Sequence, residues 1–303
     1  MALKHIKLKI QSVKKTSTVT RAMEAVSAVK MRKAQERALG GRAYAAAALT
    51  IMERLSGSKE IRQQPLMQAR TGKTGIVLIT SDKGLAGALN SNVIRATERE
   101  IESRGLSKDD IVMIAIGRRG GDYFLNRGYD VRAKHENISD GISETDMHMV
   151  TDRLLELHTT GEIGSALLVY MNFLSTFEQK AVVRQILPVT PEMIREMVAG
   201  IVPVKGKYAG IGAGETRPAS YTIEPDAESI IKVLIPRLLN IAVYHGLLEA
   251  KASEHSARMV AMKSATDKAR DMVKALTRTF NKVRQAAITR EVSEITSGIE
   301  AMK

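Results

Sequence analysis

The chain has 303 residues, a formal net charge of +13 and no cysteine, and only 4% of its residues are aromatic. The length favours two domains, and 44% hydrophobic residues are enough for a sizeable core. Without cysteine there can be no disulfide framework, no thiolate zinc site and no cysteine nucleophile. No apolar run reaches the length of a membrane span, and the first residues lack the apolar segment of a secretory signal. We therefore expect a soluble or peripheral protein.

The excess of positive charge lies at the two ends of the chain. Residues 1–55 hold 12 Lys and Arg against 3 Asp and Glu, and residues 226–303 hold 13 against 9. Residues 56–225 hold 21 of each and include eight of the eleven Tyr and Phe residues. This difference in composition predicts different kinds of structure for the ends and the middle.

Residues 1–57 are predicted to form an N-terminal coiled-coil helix. They contain no proline and no glycine before the Gly40-Gly41 pair, where a cost of roughly 1 kcal/mol per glycine predicts a local weak point. Apolar residues near the start recur three and four positions apart, as in the seam of a coiled coil. These seam residues are Leu3, Ile6, Ile10 and Val13. Small residues continue the seam, which lets a partner helix approach closely but buries little area.

Residues 72–203 are predicted to form an α/β platform domain with a Rossmann-like order of elements. Short apolar runs alternate with helical stretches, which is typical of a mostly parallel sheet. The predicted strands are 75–80, 111–116 and 166–171, the predicted helices are 88–104, 119–126 and 144–158 behind a Ser143 cap, and 177–187 is predicted as an antiparallel strand. Residues 204–225 contain several glycines and no periodicity, so we expect a mobile surface loop there.

Three glycine-containing segments of the middle resemble phosphate-binding turns only in part. Residues 72–74 (GKT) lack the upstream glycine of a P-loop and precede their strand. Residues 84–87 (GLAG) and 117–121 (GRRGG) follow predicted strands, where anions can bind helix N-termini, but neither completes a dinucleotide-binding pattern. Tight turns are therefore favoured, and anion binding by the two arginines stays open. The six histidines show no metal-ligand spacing, which favours a noncatalytic platform without cofactor or metal.

Residues 226–303 are predicted to form a second long coiled-coil helix, with a kink or a late start at Pro236. Its seam is close to heptad spacing and then shifts phase. The seam residues are Met262, Ala269, Val273, Leu276, Phe280, Val283 and Ala287, followed by Ile288, Val292, Ile295, Ile299 and Met302. At about 1.5 Å per residue, both terminal helices are too long for a globular bundle, which is the alternative. The predicted fold is a long antiparallel coiled coil of the terminal helices with the α/β domain inserted between them.

The longer C-terminal helix should extend beyond its partner. If both helices start level at the inserted domain, about the last 23 residues have no internal partner. This tip carries the apolar residues Ile288, Val292, Ile295 and Ile299. Because an unpaired helix with an apolar stripe needs burial, we expect the tip to insert into another protein.

Six segments, in order along the chain, resemble the gamma subunit of F-type ATP synthase. They are residues 10–16 (IQSVKKT), 20–26 (TRAMEAV), 30–35 (KMRKAQ), 81–90 (SDKGLAGALN), 256–267 (SARMVAMKSATD) and 288–298 (ITREVSEITSG). The resemblance covers essentially the whole chain. One departure is Ile299, where the family usually has alanine, and it affects a single contact of the tip.

The resemblance implies a central rotor stalk, which rotates within a hexamer of alpha and beta subunits. Such a stalk couples proton flow through the c-ring to ATP synthesis or hydrolysis on the beta subunits, so it is itself noncatalytic. The implied partners are the alpha, beta and epsilon subunits and the c-ring, without nucleic acid. The implied location is peripheral, at the cytoplasmic face of the bacterial inner membrane, with the mitochondrial matrix side as the less favoured alternative.

The resemblance also implies roles for individual residues. Beta contact and torque are assigned to Met23, Lys30, Lys33, Arg284, Gln285 and Thr289, the sleeve of the hexamer to Ile288, Val292, Ile295 and Ile299, and the foot on the c-ring and epsilon subunit to Tyr221 and Glu224. Met23 matches the residue that faces an acidic loop of beta. For Lys30 and Lys33, a solvated helix face is the alternative.

Composition leaves two other functions open. The basic helices would suit a nucleic-acid binder, although they lack a reading motif with stacking aromatic residues. The α/β domain would suit a nucleotide-using enzyme, which tight binding of ATP by the isolated chain would favour.

Overall fold

The computed structural model describes residues 2–40, 64–68, 70–190, 193 and 227–302. The chain divides into two compact units. The sheet unit comprises residues 28–257, and the helix-pair unit comprises residues 1–27 and 258–303. The predicted domain boundaries at 57, 203 and 225, and with them the predicted loop, lie outside the described residues.

A five-stranded sheet lies at the centre of the sheet unit. Its strands are β1 (Lys73–Ile79), β2 (Ile111–Ile116), β3 (Asp130–His135), β4 (Ile163–Phe173) and β5 (Gln179–Leu187), in the order β3-β2-β1-β4-β5. The first four pair in parallel, and β5 runs antiparallel to β4. The prediction of a mostly parallel sheet with an antiparallel last strand is therefore confirmed.

Helices cover both faces of this sheet. The helices are α1 (Ala2–Gly40), α2 (Leu89–Ser103), α3 (Arg118–Leu125), α4 (His148–Thr159) and α5 (Ala227–Glu300). In β1, Ile76 and Leu78 belong to the core formed with α2 and α3, whereas Val77 and Ile79 belong to the core formed with α4 and α5. Since successive side chains of a strand point to opposite faces, the run from Ile76 to Ile79 is apolar without alternation, as in strands buried on both sides.

The start of α4 explains a small difference from the predicted helix 144–158. The Ser143 hydroxyl accepts a hydrogen bond from the Asp146 amide at 3.3 Å, and the Asp146 carboxylate accepts one from the Ser143 amide at 2.9 Å. This reciprocal cap starts a short 3-10 turn, Thr145–Met147, before the α-helix begins at His148. The predicted Ser143 cap is confirmed, with one tighter turn between cap and helix.

In the helix-pair unit, α1 and α5 meet along small polar side chains. The Oγ1 atoms of Thr20 and Thr266 are 2.6 Å apart, and both residues are buried. Ser27 and Ala269 are buried as well, and the predicted seam residues Leu3, Ile6, Ile10 and Val13 are half-buried. The seam therefore follows the predicted stripe on α5 as far as Val283, whereas the predicted seam residue Ala287 is exposed because it lies beyond the paired part of the helix.

The helix α5 is continuous over 74 residues, and its most apolar part is buried. It continues through Pro236, so the alternative of a late start at this proline is wrong. By length and composition alone, the stretch Lys232–Glu300 contains one 18-residue window that is apolar enough to cross a membrane. Its most apolar window is 78% buried inside the protein, because this part of α5 packs on the sheet, as core helices do.

Candidate functional site

The turn after β1 is held by its own side chains. The Ser81 amide donates to Asn90 Oδ1 at 2.9 Å, Asn90 Nδ2 donates to the Ser81 hydroxyl at 2.8 Å, and this hydroxyl donates to the Lys83 carbonyl at 2.6 Å. Serine and asparagine in the segment SDKGLAGALN thus lock the turn to the start of α2. This geometry supports the interpretation of residues 84–87 as a tight turn.

The N-terminus of α3, where the GRRGG segment lies, is already capped. The Arg118 amide donates to Asp82 Oδ1 at 3.0 Å, the Arg119 amide to the Ser81 carbonyl at 3.1 Å, and the Gly120 amide to Thr80 Oγ1 at 2.9 Å. These amides are the groups that would bind a phosphate at a helix N-terminus. The Asp82 carboxylate therefore occupies the place of a bound anion. Because all three amides already have acceptors, none of them is available to bind a phosphate, which argues against the alternative of an anion site at GRRGG.

The residues 72–74 (GKT) also have a structural explanation. Lys73 and Thr74 are the first residues of β1, and the Lys73 amide donates to the Glu162 carbonyl at 3.0 Å. Their backbone therefore belongs to the sheet and cannot wrap around a phosphate.

A cavity marks the point where doubly wound folds bind ligands, beyond the carboxyl ends of the strands at the reversal of strand order. Here that reversal lies between β1 and β4. The cavity measures about 10 Å³, and its lining includes Thr80 and Ser81 of the turn, Met171 of β4, and Leu247 and Ala250 of α5. This volume holds at most about one water molecule. The helix α5 thus fills the space that a nucleotide would need.

A buried polar cluster lies where α5 crosses β4. Glu249 Oε1 is 3.8 Å from His245 Nε2, and Glu249 shares a hydrogen bond with Tyr170. With its amide nitrogen turned toward Glu249, Asn172 donates to Oε1 at 3.1 Å. Burial raises the pKa of Glu249 to about 8, against the opposing effects of Arg184 and Tyr170, and burial lowers the pKa of His245 to about 3. Both shifts favour the uncharged forms at neutral pH, which argues against an ion pair between Glu249 and His245.

Replacing Glu249 by glutamine should make the stability of the chain less dependent on pH. The wild-type carboxyl has a pKa near 8 when folded, against the ordinary value of 4.5. The folded state then binds more protons between these values, so stability falls as pH rises from 4.5 to 8. Glutamine resembles the neutral acid, and Glu249→Gln should gain on the order of a few kcal/mol relative to wild type across this range.

Urea unfolding of both full-length chains at pH 5 and pH 8 measures this difference. Glu178→Gln is a matched control, because Glu178 is an exposed carboxyl in the turn between β4 and β5. Equal stability changes in the two variants would contradict the assignment of a buried neutral carboxyl.

The tip of α5 is exposed along its whole length. Every residue from Arg284 to Met302 is exposed, including the candidate contacts Gln285 and Thr289. The apolar residues Ile288, Val292, Ile295 and Ile299 are 53 to 58% exposed. Within the described residues this stretch therefore has no internal partner, as we expected, and its apolar stripe is available for another protein.

The candidate contact residues outside the tip lie on α1 or outside the described residues. Met23 is half-buried, Lys33 is exposed, and the Lys30 ammonium lies 2.7 Å from an Asp140 carboxylate oxygen. Asp140, like Glu249, is a residue that the sequence did not single out, because its neighbours are far away in the chain. Tyr221 and Glu224 lie outside the described residues. Among those described, no group of three acidic, histidine or cysteine side chains could hold a metal ion.

Comparison with known proteins identifies the family. The sequence model of a family described as ATP synthase matches residues 2–302. The ATP synthase gamma chain of Pelotomaculum thermopropionicum is 35% identical over 303 residues, covering 100% of this chain and 99% of that one. The ATP synthase gamma chain of Heliobacterium modesticaldum is 36% identical over 301 residues, covering 99% of each.

Solved structures share the fold. A chain in the cryo-EM structure of the OSCP/F1/c-ring part of Euglena gracilis mitochondrial ATP synthase superposes with a TM-score of 0.63 at 18% identity, covering 99% of this chain and 94% of that one. A chain in the rotor of the same complex gives 0.59 at 17% identity, covering 95% and 99%. Together with the full-length sequence matches, these results show that the chain belongs to the gamma-chain family of ATP synthase.

Proposed function

We propose that this chain is the central rotor stalk of a proton-translocating F-type ATP synthase and that its tip turns inside the alpha/beta hexamer. The observation that carries this proposal is the exposed apolar stripe at the end of α5, in a chain that matches gamma chains over its whole length. A stripe of large apolar residues on an otherwise polar helix is stable only when a partner covers it.

The stripe suits a sleeve in which the helix can turn. Its apolar side chains alternate with polar and charged ones along the same helix, and Arg290 pairs with Glu294 at 2.8 Å within the tip. A smooth apolar surface has no directional bonds that would hold one register, because the hydrophobic effect is non-directional. We assign Ile288, Val292, Ile295 and Ile299 to this sleeve.

Polar and charged side chains supply the contacts that transmit torque to beta subunits. Arg284, Gln285 and Thr289 are exposed just before and within the apolar stripe, where a beta loop can reach them. Met23, Lys30 and Lys33 of α1 are assigned to a second beta contact, and the net positive charge of this helix favours an acidic partner surface. Lys30 has a competing partner within this chain, since its ammonium is 2.7 Å from Asp140.

The sheet unit provides the proposed platform at the membrane side. Its nucleotide position is filled by α5 and Asp82, which supports a role in binding partners and not in catalysis. We assign contacts with the c-ring and the epsilon subunit to the foot that includes Tyr221 and Glu224. The chain would then be peripheral to the membrane, at the cytoplasmic face of a bacterial inner membrane.

Isolation of a tagged copy of the chain from detergent-solubilised membranes tests the proposal. We expect alpha, beta and epsilon subunits and the c-ring to copurify in stoichiometric amounts, together with ATPase activity. A tagged, unrelated cytoplasmic protein serves as the control for nonspecific capture. Recovery of the chain by itself, or with nucleic acid, would show that the proposal is wrong.

A further inference from the structure

Residues 136–144, the first part of the connection between β3 and α4, contact one face of α5. Three of its carbonyl oxygens accept side-chain hydrogen bonds from this helix: Ile138 from Lys251 at 3.0 Å, Ile142 from Tyr244 at 3.3 Å, and Glu144 from Asn240 at 2.9 Å. The donors are spaced four and seven residues apart, so they share one face of α5. We call residues 136–144 the joint segment.

The same segment is held by α1 from another direction. Lys30 Nζ donates to Asp140 Oδ2 at 2.7 Å, and the Arg37 guanidinium donates to the Asp140 backbone carbonyl. Lys30 and Arg37 are seven residues apart and therefore lie on one face of α1. The joint segment thus lies between the two long helices within the sheet unit.

The Asp140 carboxylate is the centre of this arrangement. Besides its contact with Lys30, Asp140 has its Oδ1 atom 3.2 Å from His255 Nε2 and 3.6 Å from Lys251 Nζ. The side chains of His255 and Lys251 are only 6% and 17% exposed, so solvent screens these contacts less than it screens an ordinary surface pair. The hydrogen bond from His255, followed by that from Lys30, holds the pKa of Asp140 well below its usual range.

We propose that the joint segment, with Asp140 as its ionic centre, locks α1 and α5 to the sheet so that torque passes between the sheet unit and the two helices. This inference rests on the proposed function of the chain as a rotor stalk. Both helices continue beyond the joint segment into the helix-pair unit, so the contacts that hold them to the sheet, including those of the joint segment, are placed to carry a load on the sheet. Asp140 is a positioning residue, since it acts through the helices it holds.

Removal of the Asp140 carboxylate should weaken the attachment of α1 and α5 to the joint segment by more than the loss of one ion pair. Lys30 on α1 and Lys251 on α5 both lie within 4 Å of this one carboxylate. Without it, cations on two different helices lose the anion that they share, and their mutual repulsion is no longer offset. A neutral, equally large side chain such as asparagine therefore isolates the effect of charge.

The test uses the assembled ATP synthase that contains Asp140→Asn. We expect ATP hydrolysis near the wild-type rate, while the ratio of ATP-driven proton pumping to hydrolysis falls by about half or more. In the same complex, amide hydrogen exchange of residues 138–144 should rise about tenfold, because local opening becomes easier. Asp140→Glu, which keeps the charge, should recover most of the pumping ratio. Asp109→Asn removes an exposed carboxylate elsewhere in the sheet unit and should change neither measurement.

A wild-type pumping ratio in the Asp140→Asn complex, or an equal loss in the Asp109→Asn complex, would overturn the proposal. If the complex with Asp140→Asn does not assemble, Lys251→Gln is used instead. This variant removes one cation near Asp140 and the hydrogen bond to the Ile138 carbonyl, so it should raise the amide hydrogen exchange of residues 138–144. Unchanged exchange in that variant would also overturn it. Failure of the rotor function itself would appear separately, as loss of copurifying subunits from the wild-type chain.

Discussion

A chain that ends after Phe280 should assemble a stable sheet unit but lose most ATP-driven proton pumping. Of the removed residues, those from Arg284 to Met302 are exposed throughout and Val283 is half-buried, so the truncation takes away little internal burial. The unfolding midpoint of the chain should therefore change by no more than about 2 °C. Pumping should fall by about tenfold or more, because the proposed sleeve residues and the proposed beta contacts Arg284, Gln285 and Thr289 all lie in the removed segment.

Pumping by inverted membrane vesicles and thermal unfolding of the purified chain measure the two effects. Ser293→Ala changes the tip on a polar position and should leave pumping near wild type. A truncated complex that pumps normally would refute the proposed roles of Arg284, Gln285 and Thr289. A large loss of thermal stability would instead show that the tip packs on its own chain.

Gly117→Ala should destabilise the sheet unit by about 3 kcal/mol or more. Gly117 has φ +93° and ψ 140°, a backbone conformation that is essentially restricted to glycine. A Cβ atom would also overlap the Thr80 carbonyl oxygen and lie 2.6 Å from its carbon atom. Thr80 directly follows β1 and Gly117 directly follows β2, so the clash would push apart the ends of two neighbouring central strands.

Gly128→Ala is the matched control for this substitution. Gly128 also has a positive φ of +79°, but a Cβ atom there meets nothing within 4 Å. It should therefore cost only about 1 kcal/mol, from backbone strain alone. Chemical denaturation of the two variants separates strain from overlap, and equal losses would mean that the close approach to Thr80 is unimportant.

The buried strands were predictable because local composition already specifies them. The apolar run of β2 coincides with its predicted bounds, Ile111–Ile116, and every residue in it is buried. The strand β3 was missed, because its sequence, DVRAKH, alternates charged with apolar residues. It lies at the edge of the sheet, where charged side chains face solvent and prevent further pairing.

The candidate contacts of the tip were also accessible from sequence. A seam that continues past the end of the shorter helix predicts exposure, and the exposed fractions of Ile288 and Ile299 agree with that prediction. In contrast, Asp82 was read only as part of a glycine-containing turn. Its role as the anion that caps α3 depends on Arg118, which lies 36 residues away.

The two long helices, the mostly parallel sheet and the family could be recognised from sequence, because periodicity, apolar runs and ordered motifs are local properties of the chain. The folded arrangement is what brings α5 into the ligand position, buries the Glu249 carboxyl so that its pKa is raised, and places Asp140 between α1 and α5. These features arise between residues far apart in sequence, such as Lys30 and Asp140, separated by 110 positions. Burial and electrostatic neighbourhood are set by the folded arrangement, and no local pattern encodes them.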